Sequence, residues 1–147
     1  MMAAVLQKLS ESELDLVFSR IARRKLKKKN KYGCIEVLGG ARMSVNVDKP
    51  RGGYPCMKIT ATSAQKLNPS KDNAKVLPLH VIIYYKYNKK IADRANWEVV
   101  SHLCHHKSCI NIQHLSLETK TINEARKKCV SATKCLKNHR GYRNCFL

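Results

Sequence analysis

The stretch SHLCHHKSCINIQH (Ser101–His114), continued by LSLETKTINEARKKC (Leu115–Cys129), decides the fold. Cys104, Cys109 and His114 stand five residues apart. Trp97 to Leu103 reads as a strand, Cys104 to Gln113 as a loop, and His114 to Glu118 as a second strand. Thr121 to Lys128 reads as a helix, with Thr121 and Glu124 spaced as a capping box. Zinc takes four Cys or His ligands in a tetrahedron, and ligands a few residues apart can reach one ion from a single turn. Cys104, Cys109 and His114 bracket the predicted loop, so one ion would staple it. The fourth ligand must come from elsewhere: Cys34 is preferred over Cys56, which reads better as a small buried hydrophobe.

A second set follows at once. Cys129, Cys135, His139 and Cys145 form a complete Cys3His group within 17 residues. The segment around them has almost no apolar material to bury and needs a staple in place of a core. Five of the seven cysteines and five of the six histidines fall between His102 and Cys145. The odd cysteine count argues against a disulfide framework, and reduced thiols interleaved with histidine argue for metal.

Charge names the kind of partner. Lys and Arg total 29 against 10 Asp and Glu, a net +19 on 147 residues, which points to a polyanion. Hydrophobic residues at 44% exclude a wholly disordered basic tail. The length suits one compact domain. No apolar run approaches the roughly 18 residues of a membrane span, and Met1 to Lys8 is too short for a secretory signal. The expected setting is soluble and intracellular, in the nucleus if the source is eukaryotic.

Upstream, Leu14, Val17, Phe18 and Ile21 repeat at helical spacing, and Ser10 with Glu13 forms a capping box, so a helix is expected over Ser10–Leu26. It runs into Arg23 to Lys31, with seven positive charges in nine residues, a phosphate-contacting arm or nuclear-import address. Cys34 to Leu38, Ala41 to Val47 and Tyr54 to Ala61 read as strands, with turns at Gly39-Gly40 and Pro50 to Gly53. Ala61 to Lys75 reads as a loop. Periodicity does not decide between strand and helix for Leu79 to Tyr87, and helix is preferred. The sheet carries Arg42, Lys49, Arg51, Lys58 and Lys66, and a twisted ribbon with such charges fits the DNA major groove. Candidate DNA contacts are therefore Arg42, Lys49, Arg51 and Lys58, with Arg24, Lys27 and Lys28 of the arm. The expected class is α+β, divided as 1–31 (helix and basic arm), 32–97 (DNA-binding antiparallel sheet region) and 98–147 (zinc-bound finger and C-terminal loop).

With these ligands assigned, His102 remains. It sits two residues before Cys104 and can either replace a zinc ligand or face a reactive site, where a neutral imidazole is the usual general base. Asn123 follows on the predicted helix, and an amide oxygen is a hard ligand suited to Mg2+ or Ca2+.

The pattern from Ser101-His102-Leu103-Cys104-His105 through Cys109, Asn111, His114-Leu115, Glu118, Asn123 and Arg126 to Cys129 resembles the His-Cys box homing endonucleases of the His-Me finger, or ββα-metal, nucleases. Gly33-Cys34-Ile35-Glu36 resembles the strand that supplies the fourth ligand of that family's first zinc. Tyr54 to Thr60 and His80 resemble the sheet leading into the finger. The resemblance implies small antiparallel sheets plus a ββα-metal finger, stapled by two structural zinc ions. Cys34, Cys104, Cys109 and His114 would hold the first zinc, and Cys129, Cys135, His139 and Cys145 the second. His102 would be the general base and Asn123 would hold one Mg2+. The implied activity is a Mg2+-dependent, site-specific cut in double-stranded DNA leaving 5′-phosphate and 3′-hydroxyl ends. A non-catalytic zinc-stapled DNA- or RNA-binding protein is the alternative. The family's sheet arginine at the scissile phosphate has no clean match here, Arg51 and Lys58 being candidates. Family members dimerise through an extended C-terminal tail, whereas only Phe146 and Leu147 follow Cys145; a homodimer is expected for a palindromic target, and a monomer nicking one strand for one that is not.

Overall fold

The computed structural model describes residues 2–23, 26–29, 31–37, 54–67, 73–139 and 141–147. The expected strand Ala41–Val47, its flanking turns, and Arg24, Arg42, Lys49 and Arg51 lie outside the described residues. The rest forms an α+β fold with three two-stranded antiparallel sheets.

A 3-10 turn over Met2–Lys8 leads into α1, Glu11–Ala22. The capping box forms as expected: the Ser10 side chain accepts from the Glu13 backbone, and the Glu13 carboxylate accepts from the Ser10 N–H. The helix stops at Ala22, four residues short of expectation. Like charges four apart oppose helix continuation, and the basic run is taken up differently. Leu26–Lys29 is β1, paired with β2, Cys34–Val37, in the register Lys28↔Ile35. The expected basic arm is thus partly a hairpin strand, and Lys27 and Lys28 lie on it. Its turn closes at Gly33, whose φ of 76° is a region that side-chain-bearing residues rarely enter.

β3, Cys56–Thr60, pairs with β4, Ala74–Pro78, so that Met57 faces Leu77. Between them lies α2, Thr62–Leu67, within a segment expected to be all loop. α3, Leu79–Asn88, settles the ambiguous apolar run as a helix. Pro78 stands at its N-cap, where a missing N–H costs nothing, and Leu79, Ile82 and Ile83 at helical spacing are buried. Lys89 ends the helix in the left-handed region, donating its N–H to the Tyr85 carbonyl.

β5, Glu98–His102, pairs with β6, Leu115–Thr119, and α4, Lys120–Ser131, packs on both. This is the expected strand, loop, strand, helix. The expected cap differs: Thr119 is the N-cap and its side chain accepts from the Ile122 N–H. Thr121 therefore falls inside the first turn, and Glu124 pairs with Lys127 at 2.6 Å instead of closing a box.

One apolar core joins the three parts of the chain. Val5, Leu6, Val17, Ile21, Ile59, Leu77, Leu79, Ile82, Val100, Ile110 and Leu115 are all buried within it. Since α3 touches β4, β5 and the 3-10 turn ending at His114, it is the rod against which the finger is set. No helix among the described residues is long and apolar enough to cross a membrane.

Candidate metal centres and nuclease cleft

Cys34 begins β2, Cys104 and Cys109 lie on the loop after β5, and His114 ends the 3-10 turn before β6. The four are buried, and their ligand atoms lie within 4.8 Å of one another. Nδ1 of His114 stands 3.4 Å from Sγ of Cys34 and 3.5 Å from Sγ of Cys109. A zinc tetrahedron with bonds near 2.3 Å has edges of about 3.8 Å, so this Cys3His set could hold zinc with little adjustment. Main-chain pairing explains the convergence. Ile110 donates its N–H to Ile35 at 2.8 Å, and the Asn111 amide donates to the Gly33 carbonyl at 2.8 Å, which lays the loop against β2. Cys56 is elsewhere, on β3, with its thiol on the Tyr54 carbonyl at 3.2 Å. The choice of Cys34 over Cys56 agrees with this geometry. The hydrogen bond from Cys104 holds the Cys109 thiol down to about 4 and drives that of Cys104 up, favouring a thiolate where a cation is to bind.

The second cluster closes the segment after α4. Cys129 ends that helix, and Cys135, His139 and Cys145 come from the loop behind it, with ligand atoms again within 4.8 Å. Nε2 of His139 lies 3.3 Å from Sγ of Cys135 and 3.6 Å from Sγ of Cys145. Leu136 and Tyr142 are exposed, so this loop has few apolar contacts to hold it. Two Cys3His clusters thus stand ready for two zinc ions.

Phe146 connects the clusters. It follows Cys145, donates its N–H to the Leu103 carbonyl at 2.8 Å, stacks on Tyr32 and meets the His114 ring edge-on with centroids 4.9 Å apart. Phe146 thus packs on its own chain.

His102 ends β5 and is buried. Its Nε2 lies 2.9 Å from the Cys109 carbonyl oxygen. A carbonyl only accepts, so Nε2 carries the ring proton and Nδ1 is left with the lone pair. Burial lowers the imidazole to about 4, with the Cys109 carbonyl pulling the other way. Tyr54 stacks nearly parallel on this ring at 5.9 Å, and His80 lies against it with centroids 4.5 Å apart. Burial also lowers His80, whose Nδ1 has no partner among the described residues.

Asn123, on α4, lines the same cavity as His102, about 400 Å³ in volume, together with Tyr54, His105, Lys107 and Lys127. An amide oxygen is a hard donor, and a partly hydrated divalent ion asks for few protein groups of that kind; the residues lining the cavity fit one.

Sequence reading gave Glu118 and Arg126 no role. Arg126 reaches Glu118 through three hydrogen bonds of 2.8–2.9 Å, both side chains being essentially inaccessible, and Ser101 donates a further bond to the same carboxylate. The remaining Arg126 nitrogen donates to Cys145 at 3.5 Å. One side chain therefore joins β6, α4 and the second cluster. The signal in the chain was an acid on a predicted strand and an arginine on the next helix, both within the pattern that carries the family resemblance.

Of the expected DNA contacts among the described residues, Lys58 is exposed on β3; it is not among the residues lining the His102 cavity. Comparison with known proteins gives one finding: the family model described as the zinc-binding loop region of homing endonuclease matches residues 41–146. No curated protein and no solved structure matches.

Proposed function

This chain belongs to the homing endonuclease family defined by that zinc-binding loop region, and from that premise we propose a Mg2+-dependent, site-specific DNA endonuclease leaving 5′-phosphate and 3′-hydroxyl ends. The observation that carries the reading is the pairing of His102 with Asn123 in one cavity, with the Cys109 carbonyl fixing the His102 tautomer.

His102 takes a proton from water at Nδ1, while its Nε2–H stays on the Cys109 carbonyl. The oxygen so freed forms a bond to phosphorus as the bond to O3′ breaks, and the departing oxygen is protonated from solvent. Tyr54 and His80 exclude water from two sides of the imidazole and hold its plane, which is positioning of the kind that makes attack effectively unimolecular. Asn123 would hold the divalent ion by its amide oxygen. A bound Mg2+ supplies charge neutralisation at the scissile phosphate and the leaving oxygen. The first cluster acts on the chemistry indirectly, because Cys109 is both a zinc ligand and the carbonyl on which His102 rests. The net +19 supplies attraction to the DNA backbone.

The test is purified protein on a supercoiled plasmid library in Mg2+ or EDTA, beside His102→Ala and Asn123→Ala. Cutting in Mg2+ alone, lost in both variants with DNA binding retained, supports the reading. Tight binding with no cutting by any form replaces it with a zinc-stapled DNA-binding protein.

A further inference from the structure

The cavity that holds His102 and Asn123 is lined by two cations, Lys107 and Lys127. They are not equivalent. Both side chains are exposed and screened by water; Lys127 stands on α4, where its neighbour Glu124 lies 2.6 Å away. Lys107 lies on the short loop between Cys104 and Cys109, both ligands of the first cluster. Metal binding would therefore anchor its backbone at both ends. Within that loop Cys109 donates its N–H to the His106 carbonyl at 3.0 Å, and His105 is held at a φ of 58°.

The ammonium of Lys107 stands over the Tyr54 ring, 5.7 Å from its centre. The same ring stacks on His102. One aromatic plate thus touches both the base and a compact positive charge, and all three side chains line the same cavity.

We propose that Lys107 is a further catalytic residue, the cation that contacts a non-bridging oxygen of the scissile phosphate as negative charge builds there. The inference rests on the nuclease reading above. In the step, water gives its proton to His102, the new P–O bond forms and the P–O3′ bond breaks; Lys107 keeps all its protons and only follows the charge onto the phosphoryl oxygens. A compact ammonium suits this, since it acts as a point charge that need not match a planar acceptor. The loop also explains how a structural metal would influence rate: losing the first zinc would release Lys107 together with the carbonyl that orients His102.

The experiment compares wild type, Lys107→Met, Lys107→Arg and Lys127→Met on the supercoiled plasmid library in Mg2+. Single-turnover cutting is measured at enzyme excess, DNA affinity is measured in EDTA, and zinc content and melting are measured on the same samples. Expected is a loss of roughly 100-fold or more in single-turnover rate for Lys107→Met. Its affinity should stay within about threefold, with two zinc ions and an unchanged melt. Lys107→Arg should recover most of the rate, and Lys127→Met should lose much less than Lys107→Met. Cutting by Lys107→Met within about threefold of wild type overturns the proposal and leaves the nuclease reading standing. So does a loss that appears only in affinity, which makes Lys107 a plain backbone contact. No cutting by wild type, or metal-independent cutting that survives His102→Ala, overturns the nuclease reading and this proposal with it.

Discussion

Replacing Arg126 by Met should be among the most damaging single changes available to this chain. The substitution keeps the length of the side chain and removes its charge and donors. Glu118 then loses all three of its bonds from Arg126 and keeps the Ser101 hydroxyl, at a position that water does not reach. Breaking one half of a buried ion pair costs about 3–5 kcal/mol, because the charge left behind is uncompensated. With an unfolding entropy near 2.1 cal/mol/K per residue, that lowers the melting temperature by about 10–16 °C. The double change Glu118→Leu with Arg126→Met removes both charges and should regain at least about half of the loss, since the pair itself contributes little beyond its own desolvation. Thermal melts of the zinc-loaded protein, followed by circular dichroism, measure all three forms. A drop of under about 3 °C for the single variant, or a double variant no better than the single, would refute the reasoning. Release of zinc from the second cluster should accompany the melt of Arg126→Met, because Arg126 also supports Cys145.

Zinc stoichiometry separates the cysteines: Cys34→Ser should purify with one zinc fewer than wild type, whereas Cys56→Ala should keep the full content, and loss of zinc from the latter would overturn the ligand assignment. Cys135→Ser should leave the sheet and α4 folded and expose residues 132–147 to limited proteolysis, since structural zinc supplies folding energy directly to a segment with few buried apolar groups; protection of that segment in the variant would contradict this. Affinity for a random-sequence duplex in EDTA should fall with salt at a log-log slope of about 0.9 per phosphate neutralised, and Lys58→Ala should reduce that slope if Lys58 touches the backbone. A flat salt response would remove the polyanion reading altogether.

Spacing made the ligands legible. Cys104, Cys109 and His114, and the set from Cys129 to Cys145, are close in sequence, so local geometry alone brings each group near one point. The finger was legible for the same reason: β5, β6 and α4 are consecutive, their periodicities are distinct, and short connections leave few topologies. For Leu79 to Tyr87 helix was preferred and is found, but periodicity did not decide it, because apolar residues fall on most faces of the run; packing against β4, β5 and two 3-10 turns holds it. The basic stretch failed differently, since β1 forms only when β2 is there to pair with it. Cys34, about 70 residues from its fellow ligands, could be preferred from the chain but not located by it. Only the tertiary structure placed the Cys109 carbonyl under His102, Lys107 over Tyr54, and Arg126 between Glu118 and Cys145. The sequence alone determined which thiols and imidazoles the protein carries and how closely they follow one another, because composition and local spacing are properties of the chain. Their orientation was left to the folded state, because a hydrogen bond between distant residues exists only once hydrophobic burial and strand pairing have closed the loops between them.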